Sequence, residues 1–70
     1  MKEKITLTFV GRDSWSRPIY ESNEIFYVDV DPRRDREPSI YTKYRNLFDG
    51  EPCDPVNTDF QFVPCRDVWY

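Results

Sequence analysis

Hydrophobic and polar residues alternate along several stretches of this chain. Near the start, Ile5, Leu7 and Phe9 occupy every second position among lysine and threonine. Near the end, Phe60 and Phe62 are spaced in the same way. Successive side chains of an extended strand point to opposite faces of a sheet. The alternation therefore predicts strands that bury one face and expose the other.

The stretch from Glu24 to Pro32 predicts the central strand of the sheet. It is rich in β-branched and aromatic residues, which suit a pleated, half-buried surface. One face is wholly apolar, and we expect it to lie against the core: it carries Phe26, Val28 and Val30. The other face begins apolar and ends in two carboxylates, so we expect it to run from covered to solvent-exposed: it carries Ile25, Tyr27, Asp29 and Asp31.

Turn-forming residues separate the predicted strands. Gly11 interrupts the first alternation and is typical of a bulge. Asp13 lies in the turn before Pro18, and its side chain can accept backbone N–H groups. Ser22-Asn23 then predicts the tight link of a hairpin over residues 18–31.

Residues 32–38 are bounded by prolines and contain no apolar residue between them. Their three arginines suggest a phosphate or nucleic-acid site, but Asp35 and Glu37 alternate with the arginines and offset their charge. We therefore expect a solvated surface loop.

Residues 39–50 allow two interpretations. A helical spacing of apolar residues is present, at Ile40, Tyr44, Leu47 and Phe48. Against a helix, the residues that follow Ser39 favour a strand, and no glutamate completes a capping box. We expect a strand over Ser39–Lys43, followed by an irregular or single-turn segment through Phe48.

These patterns predict one domain over residues 1–70 that is mainly β. We expect a small antiparallel sheet or an SH3-like partial barrel of four or five strands, with at most one short helix around residues 40–48. A chain of 70 residues has a small core, yet it carries five Phe, five Tyr and two Trp. This aromatic area exceeds what the core can cover, so we expect a symmetric dimer in which an edge strand or the tail, residues 68–70, covers the other copy.

Charge and composition restrict the remaining functions. Ten basic and thirteen acidic side chains give a net charge of −3, without the basic stripe of a duplex-binding protein. No apolar run is long enough to span a membrane, and the first residues lack the apolar core of a signal peptide. The sequence predicts a cytoplasmic protein with no membrane contact, and its charge does not favour a nucleic-acid partner.

Few residues are suited to catalysis. The chain has no histidine and only two glycines, which excludes a Ser-His or Cys-His pair and a glycine-rich phosphate loop. Asp29 and Asp31 share a strand face and are candidates for binding a divalent cation in a metal-assisted hydrolase. We prefer to interpret them as the polar end of a strand, and predict a protein that is not an enzyme and needs no cofactor or metal.

The aromatic residues favour a binding function instead. We predict a non-catalytic protein-interaction module that binds a protein partner, or itself, through an aromatic surface or a sheet edge. An alternative is that tyrosines stack single-stranded nucleic acid on one sheet face, unless they simply cover that face. The candidate binding residues are Trp15, Tyr20, Tyr27, Tyr41, Tyr44, Trp69 and Tyr70.

Three runs of the sequence resemble a group of small uncharacterised proteins encoded in mobile elements of gut Gram-positive bacteria. They are Leu7-Thr8-Phe9-Val10-Gly11-Arg12-Asp13, Tyr27-Val28-Asp29-Val30-Asp31-Pro32 and Phe48-Asp49-Gly50-Glu51-Pro52. The resemblance implies an accessory role in the life of such an element, through binding to an element or host protein. It implies no activity, ligand or catalytic residue.

The two cysteines, Cys53 and Cys65, are expected to be reduced thiols, because no export signal precedes them. Replacing both with serine should leave the fold and the melting temperature unchanged. Intact-mass measurement under non-reducing conditions checks this. A mass two hydrogens lower, with a melting temperature that falls on reduction, would contradict the prediction.

Overall fold

A computed structural model describes residues 4–69 as one mixed sheet of six strands. The strand order is β5-β4-β3-β2-β1-β6, and every neighbouring pair is antiparallel except β1 and β6. The strands are β1 (Lys4–Arg12), β2 (Pro18–Ser22), β3 (Ile25–Asp29), β4 (Ile40–Lys43), β5 (Pro52–Pro55) and β6 (Asp59–Val63). A single 3₁₀ turn, Tyr44–Asn46, follows β4.

The mainly β prediction is confirmed, whereas the strand number and the all-antiparallel arrangement are wrong. The additional strand is β5, in a segment whose two prolines do not favour a strand. Pro52 and Pro55 are tolerated there because β5 lies at the edge of the sheet, where a missing N–H disrupts no second ladder. The parallel pair arises because the last strand joins the sheet beside β1.

The sheet curls strongly, as the connection between its two edges requires. Strands β5 and β6 lie at opposite edges, yet only residues 56–58 separate them. That connection spans at most about 14 Å. Five strand spacings of a flat sheet amount to about 24 Å. The edges therefore approach each other at this end, and Val56 of the connection and Phe60 of β6 both pack against the same core.

The concave face of this sheet, the first face, holds the main core. Four residues are buried there, Leu7, Tyr20, Tyr27 and Ile40, and partly buried apolar side chains surround them. The Tyr20 ring packs edge-on against Phe9 and Phe62, with ring centroids 5.9 Å and 5.0 Å away. Such pairs contribute beyond the area they bury.

The sequence predicted that Phe26 and Val28 would face the core, but the main core lies on the other face of β3. Tyr27 and Asp29 belong to the first face and are buried, while Phe26 and Val28 belong to the opposite, second face. Burial of Asp29 is possible because hydrogen-bond donors surround its carboxylate. An alternation of apolar and polar residues that treats every carboxylate as exposed cannot predict the burial of Asp29.

The second face carries a smaller cluster around the buried Ile19 and Val28. Nearby, the rings of Phe26 and Phe48 pack edge-on at 5.9 Å. Phe48 also lies against Gly11, where an added Cβ would meet its ring at 3.4 Å. The predicted bulge is confirmed, since the β1–β2 register shifts between Phe9 and Gly11. The φ of +148° at Gly11 suits glycine.

The predicted hairpin is also confirmed, although its turn lies one residue later than expected. Ser22 pairs with Ile25, and the two turn residues, Asn23 and Glu24, have φ of 51° and 67°. Two successive positive φ values match the primed turns that fit strand twist. The side chain of Asn46 joins this hairpin to the 3₁₀ turn, because it accepts the Phe26 N–H and donates to the Glu24 carbonyl. The strand and the single turn that the sequence predicted over residues 39–48 are both present, as β4 and the 3₁₀ turn.

Asp13 anchors the turn after β1 to the second face. Its side chain and that of Lys43 are 1% and 0% exposed, with Nζ and Oδ2 3.3 Å apart. Arg17 pairs with the same oxygen at 2.9 Å, while Oδ1 accepts the N–H groups of Trp15 and Arg17. Burial raises the pKa of Asp13, but the hydrogen bonds from Arg17 and Trp15 outweigh it and leave that pKa below its ordinary value.

We predict that Asp13→Asn lowers the free energy of unfolding by about 3 kcal/mol near pH 7, because Lys43 would lose its buried counter-ion. The lowered pKa of Asp13 means that the wild type holds this stability above pH ~4 and loses it as the pH falls through the folded-state value. The deficit of the variant should therefore shrink in acid. Urea titrations between neutral and strongly acidic pH measure it.

The double variant Asp13→Asn, Lys43→Met is the control, because it removes both charges together. It should recover much of the lost stability. The same loss of unfolding free energy in Asp13→Asn at every pH, or no recovery of it in the double variant, would contradict the proposed charge pair.

Candidate interaction surface

The structure does not bring the candidate tyrosines onto one surface. Tyr20 and Tyr27 lie in the core of the first face, whereas Tyr41 faces the opposite side, because it pairs with Val28. Tyr44 is exposed beyond the end of β4. Tyr70, also proposed from the sequence, lies outside the described residues. The predicted tyrosine platform is therefore not formed by Tyr20, Tyr27 and Tyr41.

Tyr20 has a structural contact instead of an exposed stacking face. Its hydroxyl accepts the N–H of Asp67 at 3.0 Å, so it connects the C-terminal segment to β2. Burial raises the pKa of Tyr20 to about 12, and the N–H of Asp67 only partly opposes this. The hydroxyl therefore stays protonated at physiological pH.

The two tryptophans, by contrast, are exposed, and Trp69 is bonded to the turn that carries Trp15. Trp15 is 71% exposed and Trp69 is 37% exposed. The indole Nε1–H of Trp69 donates to the Ser16 carbonyl at 2.7 Å, which holds that ring beside the turn carrying Trp15. The Arg17 guanidinium lies 5.9 Å from the centroid of the Trp15 ring, at the outer range of a cation–π contact.

An open groove of about 540 Å³ adjoins Trp69 on the side of the arginine loop, and Arg33, Arg34 and Asp35 complete its lining. We call Trp15, Trp69 and these three loop residues the tryptophan surface. It combines exposed indole rings with guanidinium groups. Both are enriched in the energetically dominant parts of protein interfaces.

The C-terminal segment, residues 64–69, folds back onto its own chain and so positions Trp69. The Trp69 N–H donates to the Pro32 carbonyl at 2.7 Å, and Trp69 forms an isolated bridge with Arg33. Farther back, Arg12 binds the carboxylate of Asp67 through two hydrogen bonds of 2.7 Å and 3.1 Å. In the described residues the C-terminal segment therefore docks on the body of its own chain.

Arg66 is the inner anchor of this segment. Its Nη2 lies 3.5 Å from Oδ2 of the fully buried Asp29 and donates to the Arg33 carbonyl at 3.2 Å. Its Nη1 donates to the Arg36 carbonyl at 2.7 Å. One arginine thus joins the tail, the end of β3 and the loop that carries Arg33 and Arg34.

The buried carboxylate of Asp29 also organises that loop. Its Oδ1 accepts the N–H groups of Asp31 and Ser39, each at 3.1 Å, and so closes the loop at both ends. Burial raises the pKa of Asp29, against the opposing effect of these hydrogen bonds and of Arg66. Ionised Asp29 is therefore tolerated only because its partners are in place.

Asp29 and Asp31 do not form an open pair of carboxylates. Asp31 binds the Arg33 guanidinium with distances of 2.7 Å and 3.1 Å, and this contact lowers the pKa of Asp31. Within residues 4–69, no three or more Cys, Asp or Glu side chains are grouped to hold a metal ion. Cys53 and Cys65 are both free and exposed.

Sequence reasoning missed Arg66 and the structural role of Asp29. The available signal was an acidic residue at the end of an otherwise apolar strand, which suggests a buried partner. Its arginine lies 37 positions later, in a segment without periodicity. No spacing rule connects the two.

Over residues 4–69 the structure has no helix long and apolar enough to cross a membrane.

We predict that Arg66→Met lowers the free energy of unfolding by about 2–3 kcal/mol near pH 7, because Asp29 would be left charged and buried. The pKa of Asp29 is already raised and should rise further without Arg66. The deficit should therefore shrink as the pH falls through this pKa and Asp29 becomes neutral. Amide hydrogen exchange at Asp67 and Trp69 should accelerate, since the tail loses its anchor.

The control is Arg12→Met, which breaks an exposed ion pair with Asp67. It should cost at most about 1 kcal/mol. Equal effects of the two substitutions, or unchanged exchange at Trp69 in Arg66→Met, would show that Arg66 does not anchor the tail.

Comparison with known proteins identifies no relative. No family model, curated protein or solved structure matches the chain. The mobile-element origin therefore stays a prediction from the sequence.

Proposed function

We propose that this protein is a non-catalytic interaction module that binds a protein partner through the tryptophan surface. The observation that carries the proposal is that Trp15 and Trp69 are both exposed, and that the Trp69 indole is hydrogen-bonded to Ser16, the residue next to Trp15. Trp69 is fixed by hydrogen bonds from its main chain and its indole, yet its ring stays partly exposed. A rigid exposed ring loses little conformational entropy when a partner covers it.

The composition of the surface indicates the kind of partner it suits. The groove beside Trp69 offers a ring face for an apolar side chain, and its wall carries charges of both signs, from Arg33 and Arg34 and from Asp35. A segment that presents an apolar side chain flanked by polar or charged groups therefore suits this surface.

The alternatives have less support. Single-stranded nucleic acid needs an exposed row of rings, and two of the candidate tyrosines, Tyr20 and Tyr27, are in the core. A metal-assisted hydrolase needs accessible carboxylates, and the fully buried Asp29 is surrounded by protein donors. A cytoplasmic location and an accessory role in a mobile element remain part of the proposal. The SH3-like partial barrel likewise stays a hypothesis, which the curl of the sheet supports.

Replacing Trp15 with alanine should weaken partner binding about tenfold or more and leave the fold intact, because most of this side chain is exposed. The tagged wild-type chain is first used to capture proteins from a lysate of the source organism. The captured protein is then purified, and its Kd is measured by calorimetry for wild type and variant. Ile25→Ala is the matched control, since Ile25 is an exposed apolar residue that pairs with Ser22 at the end of β2 opposite the turn carrying Trp15.

Equal loss of affinity in both variants, or none in either, would contradict the proposal. Titration with a fluorescent single-stranded oligonucleotide tests the alternative. Micromolar binding that weakens with added salt would favour nucleic acid over a protein partner.

A further inference from the structure

The free edge of β6 is unprotected against pairing with another strand. Within residues 4–69, β6 has one neighbour in the sheet, β1. Its five residues contain no proline and no basic residue, and Asp59 is the single charge. Proteins usually block such an edge with lysine, proline or a bulge, because unpaired N–H and C=O groups recruit further strands.

The opposite edge of the sheet is protected. Strand β5 has four residues, with a proline at each end and Asp54 between them. It is short and lacks N–H groups at both ends, so it is a poor template for pairing. The two edges of the same sheet therefore differ, and pairing is favoured at β6 alone.

The sequence of β6 is complementary to itself in the antiparallel direction. When the full strand is aligned with a second copy, Gln61 lies opposite Gln61, Phe60 opposite Phe62 and Asp59 opposite Val63. Opposed aromatic residues stabilise a strand pair, and no like charges face each other in this register. Two glutamine amides can also donate to and accept from one another.

The surroundings of β6 favour the same pairing. Phe60 and Phe62 are only partly buried at the margin of the core and border an open groove of about 570 Å³. A strand added at this edge would extend the first face and continue its row of aromatic rings. Small cores of this size commonly gain stability from association.

We propose that this chain forms a symmetric dimer in which β6 pairs antiparallel with β6 of a second copy, about a two-fold axis at Gln61. The pairing joins two six-stranded sheets into one continuous sheet. It uses a different surface from the tryptophan surface, so it goes beyond the proposed function and can hold or fail independently. The tail takes no part, because residues 64–69 fold onto their own chain.

Two substitutions that place charges of opposite sign at position 61 test the proposed two-fold axis directly. Gln61 is exposed, so Gln61→Lys and Gln61→Glu should both fold, but each places like charges opposite each other in a dimer. Sedimentation at tens of micromolar should show a wild-type dimer. Each single variant should dissociate with a Kd about tenfold higher or more. An equal mixture of the two variants should restore the dimer, because opposite charges then meet.

Thr6→Lys is the matched control, since Thr6 is exposed on β1 directly beside Gln61. It should leave the dimer intact. Circular dichroism and melting curves verify that every variant is folded. A monomeric wild type, a dimer that both charged variants preserve, or a mixture that fails to recover would overturn the proposal.

A cross-link gives a second measurement that does not depend on charge. In a background with Cys53→Ser and Cys65→Ser, Gln61→Cys should form an intermolecular disulfide under mild oxidation, because residues opposite each other lie within disulfide reach. Thr6→Cys should not, because three strand spacings, about 14 Å, would separate the two copies. Equal cross-linking at both positions, or none at position 61, would overturn the proposed axis.

Discussion

The contact between Arg66 and the buried carboxylate of Asp29 connects more of the molecule than any other single interaction described. Asp29 closes the loop after β3 through two backbone N–H groups, and Arg66 adds the tail and two loop carbonyls. The groove of the tryptophan surface depends on it, since the loop supplies Arg33 and Arg34 and the C-terminal segment supplies Trp69. An apolar pair at these positions would give no such directional control, because dispersion contacts do not specify hydrogen-bonded partners.

A second buried ion cluster, around Asp13, performs the corresponding task on the other face. The sheet has no packed helix over residues 4–69, so its faces are covered by turns and tails. Such segments bury little apolar area, and here charged hydrogen bonds fix them where a larger protein would use a helix. The small domain thus uses aromatic rings for its core and carboxylates to attach its loops.

The fold could be predicted from the sequence where the signal is local. The alternation of apolar and polar residues predicted β1 and β6, and the strand-forming residues after Ser39 predicted β4. Gly11 predicted the bulge in β1. Pairing between distant segments could not be predicted in this way, so the parallel position of β6 and the added strand β5 were missed. Of the candidate binding residues, Trp15 and Trp69 are exposed, while Tyr20 and Tyr27 are buried. Alternation separates two faces, but it cannot tell which face of a curled sheet is covered more deeply.

The late position of β6 has a consequence for how the chain reaches its native state. Strand β1 is synthesised first, yet one of its two neighbours is formed by the last part of the chain, and Arg12 binds Asp67 across 55 positions. Contacts of such long sequence separation slow folding, because the loop must close before they form. During synthesis, β1 cannot have both of its neighbours until β6 has been made. Pairing of β1 with β6 is therefore a late step in the formation of this sheet.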